Sequence, residues 1–400
     1  MPEPSWAIPE GLFRADSAGG FAAECAAAPD SLLYFLLNVG DGDTQLVLLP
    51  ERAGRRRAVV VDVATTGKLV GLLEALAGAG VLPPLADARR LFPLVVGTHP
   101  HADHISGMPE FLERFGGQVD EYWEPGYHHP SAAFVETMVA LEDSDILHTQ
   151  PTSGTTRTLD AVRFTVLTPG IGLRNRFDSY GVEINDSSIS LKVEYPAARI
   201  TEAADAADEA NTNRLLLKVD DPWALVLGAD AQTTAWAQAA VDFPELQSRP
   251  GSALYKELAA ARGQDYLRAH VLKVSHHASK HGINLELVER MAPQVALISS
   301  VGGGGKYGFP HALATEALRE ALQPTAAKGT PRLADHDLGI HYTAGLEVHA
   351  DGEPTPLGSV ALMVPAKSGS KLRLWRFGDA AQDEVDLTLG REMTRLRSRR

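Results

Sequence analysis

Cysteine is almost absent from this chain: Cys25 is the one example in 400 residues. No intrachain disulfide can form, and no thiolate metal site can be built from one sulfur. Cys25 reads as a small buried residue or an exposed thiol near the N-terminus. A chain of this length needs no staples, and 44% apolar with 22% charged residues is ordinary globular composition. Long hydrophobic runs are missing too. Stretches such as 32–37 and 58–61 have strand length, far short of the ~20 residues a membrane span requires. The opening MPEPSWAIPEGLFRADS lacks a basic segment followed by an apolar one, so no secretory signal is read there and the expected location is cytoplasmic, with no membrane partner. Positive charge is also in short supply. A net charge of −14 argues against broad, sequence-independent adhesion to nucleic acid. It leaves room for a nuclease whose metal ions supply the local positive charge.

What is present is an α/β pattern without internal repeats. Residues 1–30 read as a loosely packed lead-in. SLLYFLLNVGDGDTQLVLLP gives two apolar runs around a Gly/Asp turn, a hairpin signal, and RRRAVVVDVA a third strand ending in Asp62. KLVGLLEALAGAGVL carries apolar residues at helical spacing. Strand-like runs recur at 91–98 (LFPLVVGT), 162–167, 189–193, 215–219, 224–227, 270–274 and 295–299, with helices at 232–240 and 285–291 between some of them. TEAADAADEANT (201–212) reads as an exposed acidic insertion between two strands. The domain reading is a lead-in over 1–30, a catalytic domain over 31–351, and a C-terminal hairpin with a basic tail over 352–400.

HPHADH (99–104) carries most of the chemistry. It follows an apolar strand, so His99 and His101 project to the same side of an extended segment. Asp103 and His104 sit where the chain turns into the next helix. Four nitrogen and oxygen donors thus converge within six residues, a set that suits Zn²⁺, Mn²⁺ or Fe.

This H-x-H-x-D-H run resembles the signature of the metallo-β-lactamase superfamily. The resemblance implies an αββα sandwich, two mixed β-sheets flanked by helices, and a dinuclear metal centre. It also implies a bridging acid at the end of a later strand, supplied by Asp230 in ALVLGADAQ, and a late histidine, supplied by HVLKVSHHASKHG. Adjacent residues at a strand end point opposite ways, so one of His276 and His277 binds metal while the other faces substrate. The expectation is His277 as ligand and His276 as proton donor or phosphate contact. A finer resemblance is to the nuclease-like domain of ComEC-type DNA-uptake proteins. It rests on NVGDGD (38–43), VVVDVA (59–64), EINDSSISLKV (183–193), LKVSHHAS (272–279) and SSVGGGGKYGFPH (299–311). The chain departs from that pattern at Ala64 and Ala278, where Gly is usual, and at Phe309, where His is usual. An extra His found in many members before the bridging Asp has no match here. His128, His129 and His148 lie in other contexts, the first two as rim residues, and Asp186 is a candidate for that place or for an Asx turn.

The implied ligands are therefore His99, His101, Asp103, His104, Asp230 and His277, with two divalent ions, Zn²⁺ expected and Mn²⁺ the alternative. The implied chemistry is attack by a metal-bridging hydroxide, with Asp103 orienting it and His276, Lys306 or His311 assisting the leaving group. Asp62 is expected behind a ligand imidazole. The substrate expected is nucleic acid or a small phosphodiester. The alternatives are an ester, lactone or thioester hydrolase on the same centre, or a metal-binding regulatory protein. The sequence leaves open whether residues 352–400 cap the site or bind a partner protein, and whether the chain forms a homo-oligomer.

Overall fold

The computed structural model describes residues 20–86, 90–177, 182–197, 199–202, 215–218, 222–245, 265–300, 307–323, 333–348, 354–366 and 370–393. Lys306, the acidic stretch from 203 and the basic tail from 394 lie outside these residues.

The strand Leu32–Leu36 shows why two sheets must stack. All five residues are buried, yet they divide by parity. Leu33 and Phe35 enter one cluster with Leu69, Leu72, Leu73 and Leu76 of the helix Thr66–Gly78. Leu32, Tyr34 and Leu36 enter another with Phe164, Val166, Leu191, Val193 and Leu225 of the second sheet. A strand covered on both faces reads as a continuous apolar run, and the period of two assigns its faces only once both covers exist. A third cluster puts Ala235, Trp236, Leu287, Val288 and Leu318, from helices, against Val226, Leu272, Ala296 and Ile298 of the second sheet. The layers are helix, sheet, sheet, helix, and the expected four-layer α/β sandwich is the observed fold.

Nine strands make the first sheet. Leu32–Leu36, Thr44–Leu48 and Ala58–Val63 form its antiparallel centre, followed in parallel by Leu94–Val96, Glu121–Trp123 and Leu147–Thr149. On the other side Val360–Val364 pairs antiparallel with Leu32–Leu36, then Arg373–Arg376 and Arg391–Glu392 follow. The C-terminal hairpin is thus part of the first sheet. The helix Gly20–Ala27 also joins the core, with Phe21 buried edge-on to Phe35, Trp375 and Phe377.

The second sheet has seven strands in the order Ile340–Tyr342, Val295–Ile298, Val271–Lys273, Trp223–Leu227, Ser190–Tyr195, Val162–Thr168 and Thr156–Leu159. Its first four strands run parallel. The acidic insertion is flanked by a separate pair, Arg199–Glu202 with Leu215–Lys218. Among the described residues no helix is long and apolar enough to cross a membrane.

Candidate metal centre

Side chains gather where parallel strands of both sheets end, the usual location of sites in such sheets. Asp62 lies at the end of Ala58–Val63, and Thr98 and His99 follow Leu94–Val96. Asp230 follows Trp223–Leu227, His276 and His277 follow Val271–Lys273, and Ser299 follows Val295–Ile298. The helix Ala102–Ile105 then carries Asp103 and His104, as expected from their place at a strand-to-helix turn.

Two donor sets share Asp230. One is His99, His101 and Asp230, and the other Asp103, His104, Asp230 and His277; within each set the candidate donor atoms lie within 4.8 Å of one another. Asp230 Oδ2 is 3.8 Å from His99 Nε2, and Asp230 Oδ1 is 3.2 Å from His104 Nε2 and 3.6 Å from His277 Nε2. His277 Nε2 is 3.7 Å from Asp103 Oδ2. The structure therefore brings together all six residues expected as ligands.

The far sides of the rings explain their aim. His104 Nδ1 lies 2.7 Å from Asp62 Oδ2, and Asp62 also accepts from the backbone N–H and the hydroxyl of Thr98 at 2.7 Å each. His277 Nδ1 lies 2.9 Å from the carbonyl of Ser299. In both rings Nδ1 is engaged from behind, and Nε2 points inward. Those two Nε2 atoms and Asp230 Oδ1 are buried without a hydrogen bond of sound geometry, despite the 3.2 Å approach of His104 to Asp230. Imidazoles held from behind by a carboxylate and a carbonyl, with inward nitrogens lacking partners, fit a divalent cation.

Charge points the same way. Burial alone would push the Asp230 carboxyl up, but His104, His277 and His276 hold it well below the usual carboxylate range. Burial opposes charge on His104, yet Asp230 and Asp62 raise its pKa well above the ordinary value. Burial likewise opposes charge on His277, and Asp230, Asp103 and Asp43 raise it. Divalent ions at this centre would therefore compete with protons for the His104 and His277 rings. His99 is driven down by burial and by His104.

The turn that delivers the late histidines is left-handed. His276 and His277 both have φ +51°, and Ala278, where a glycine is the expected residue, has φ +62°. Such backbone costs about 1–2 kcal/mol per non-glycine residue. It buries His277 in the second donor set and leaves His276 at the mouth, its Nε2 3.7 Å from Asp230 Oδ2. Asn185 Nδ2 and Gln232 Nε2 approach the two ring nitrogens of His276 at 3.5 and 3.4 Å.

Other expected residues are placed elsewhere. Asp186 caps the helix Thr233–Asp242, its Oδ1 accepting from Ala235 N–H at 3.1 Å, and it is absent from the donor groups. His311 caps the helix Ala312–Leu322, its Nδ1 accepting from Leu313 N–H at 3.2 Å. Lys306 lies outside the described residues. His129 stands edge-on to His101 with ring centres 6.1 Å apart.

A buried ion pair behind His277 was not foreseen. The Lys273 ammonium donates to Asp43 Oδ2, both side chains being fully buried, and Ser299 Oγ donates to Asp43 Oδ1 at 2.5 Å. Ser299 Oγ is also 3.0 Å from His277 Nδ1. Burial would raise the Asp43 carboxyl, but Lys273, His277 and His104 leave it below its ordinary value. The signal was a polar residue inside each of two otherwise informative runs, NVGDGD and LKVSHH.

A family model described as the metallo-beta-lactamase superfamily matches residues 48–245. No curated protein matches the chain. Solved structures of low similarity include the metallo-β-lactamase fold protein YhfI from Bacillus subtilis, at 12% identity over 68% of this chain and 86% of that one, TM-score 0.34. CmlA, a diiron β-hydroxylase from Streptomyces venezuelae, is 12% identical over 78% of this chain and 52% of its own, TM-score 0.36. A diphosphatase from the PhnP family is 13% identical over 78% and 94%, TM-score 0.32.

Proposed function

We propose, from a family model and a fold that both support membership of the metallo-β-lactamase superfamily, that this chain is a dinuclear metal-dependent hydrolase acting on phosphodiesters of nucleic acid or nucleotides. One observation carries the reading: two donor sets share a single buried carboxylate, Asp230, within 4.8 Å. His99, His101 and Asp230 would hold one divalent ion, and Asp103, His104, Asp230 and His277 the other. When bound, two such ions supply a water of lowered pKa and positive charge where a phosphoryl oxygen gains negative charge.

The chain's own residues do the rest. Asp62 and Ser299 hold the His104 and His277 rings by Nδ1, so each presents Nε2 to the centre. Asp103, a third exposed, is placed to meet solvent and to orient an attacking water. His276, between two amides at the mouth, is placed to contact a phosphoryl oxygen or the leaving group. Zn²⁺ is the metal we assign, with Mn²⁺ as the alternative.

The test is hydrolysis of bis-p-nitrophenyl phosphate, plasmid DNA and RNA by protein loaded with Zn²⁺ or Mn²⁺, with Asp230→Ala beside it. Cleavage that falls by at least about a thousandfold in the variant, with the loss of bound metal, is the expected result. A protein that holds two ions and cleaves none of these refutes the phosphodiesterase reading and directs the search to lactones and thioesters.

A further inference from the structure

We propose that Tyr307, backed by Phe309, is a stacking platform for a nucleobase attached to the phosphate bound at the metal centre. The inference rests on the phosphodiesterase reading and adds the group that flanks the phosphate.

The rings form a ladder from the centre outward. Phe309 is tilted against His277, with ring centres 5.8 Å apart and planes inclined by 31°, and it meets His276 edge-on at 5.1 Å and 65°. Tyr307 lies nearly parallel to Phe309, 5.7 Å away at 23°. Tyr307 is 58% exposed, so the Tyr307 end of the ladder reaches solvent. The short loop is tied to the histidine turn by His311 N–H donating to the Ala278 carbonyl at 2.9 Å. The platform and His277 are therefore held in one local unit.

The Phe309 phenyl cannot donate a proton or bind a phosphoryl oxygen, so this flank of the site offers flat apolar surface. A single exposed aromatic residue is ordinary on a protein surface. Here, however, the exposed ring stacks on Phe309 and so continues a run of ring contacts that begins on a candidate metal ligand. A planar base bound through its face suits that surface, and every base has such a face. Recognition of this kind is tolerant of base identity and demands that a base be present.

The experiment measures binding, not turnover. Zn²⁺-loaded protein is titrated calorimetrically with AMP and with ribose 5-phosphate, which carries the same phosphate and sugar without the base. The expected result is AMP binding about 5- to 150-fold more tightly, the worth of one base on one aromatic ring. Tyr307→Ala should bring the ratio toward one, and Tyr307→Phe, which keeps the ring, should retain it. Tyr307 is exposed, so neither substitution removes a core side chain. Equal binding of the two phosphates by the wild-type protein, or an undiminished preference in Tyr307→Ala, overturns the platform alone. Failure of a two-metal protein to bind either phosphate overturns the platform, whereas the phosphodiesterase reading falls only if the same protein also cleaves none of its phosphodiester substrates.

Discussion

Replacing Lys273 by methionine keeps most of the side chain's volume and deletes one charge from a fully buried ion pair. The Asp43 carboxylate is then left with the 2.5 Å hydrogen bond from Ser299 and no cation against Oδ2. Stranding one member of a buried pair costs about 3–5 kcal/mol, much more than the net worth of the pair, because the survivor remains desolvated. Asp43→Asn strands the ammonium instead and should cost a similar amount. The double variant buries neither charge, so it should cost less than either single and fall short of their sum by at least about 3–5 kcal/mol. Guanidinium unfolding of the four metal-free proteins at pH 7.5 measures the cycle. Because Asp43 titrates below its ordinary range when Lys273 is present, its contribution exists above the unfolded pKa of ~3.9 and is lost as pH falls. In Lys273→Met the stranded carboxyl instead takes up a proton more readily than in the unfolded chain. The gap to wild type should therefore narrow toward pH 4. His277 shares Ser299 with Asp43, so Lys273→Met should also weaken metal binding by about 10–100-fold. Additive single effects, or single costs below about 1 kcal/mol, would refute the argument.

Two further outcomes follow from buried groups. Asp62→Asn keeps the shape but removes the charged acceptor 2.7 Å from His104 Nδ1, and should lower Zn²⁺ affinity about 10–100-fold in competition with a chelator; an unchanged affinity would show that the ring needs no carboxylate behind it. His341 is pushed down to about 3 by burial, then by Arg376 and His336, and neither ring nitrogen has a hydrogen-bond partner among the described residues. Between the unfolded value of ~6.5 and 3 the unfolded chain binds a proton that the native one refuses, so stability falls with pH by up to about 1.4 kcal/mol per unit. His341→Leu should remove that slope, gaining on wild type between pH 7.5 and pH 5 in thermal melts; parallel slopes would exclude this role.

Some of the centre was legible because it is local. Four donors in HPHADH converge through the geometry of one strand end and one helix start, and no distant contact is needed to see it. The apolar runs at 32–37, 58–61 and 295–299 announced strands for the same reason, and the helix Leu285–Met291 lies where its spacing put it. Asp230 and the His276/His277 pair came instead from their order after later strands, which a resemblance could supply and periodicity could not. Asp186 illustrates the limit: its place in the chain suits a ligand, but the fold brings the start of the helix Thr233–Asp242 to it, and the backbone N–H groups there claim the carboxylate.

The amino-acid order by itself determined which segments are strands and helices and where the donors cluster, since both follow from side-chain period and from neighbours along the chain. Tertiary structure decided the partners. The sandwich set Asp43 against Lys273 across 230 residues, and Asp62 behind His104 across 42. It paired Val360–Val364 with Leu32–Leu36, and a left-handed turn chose His277 over His276 for the interior. Burial makes these choices: in a dry interior a charge or ring nitrogen must meet its complement, and the complement that arrives depends on how two sheets stack, which no local pattern encodes.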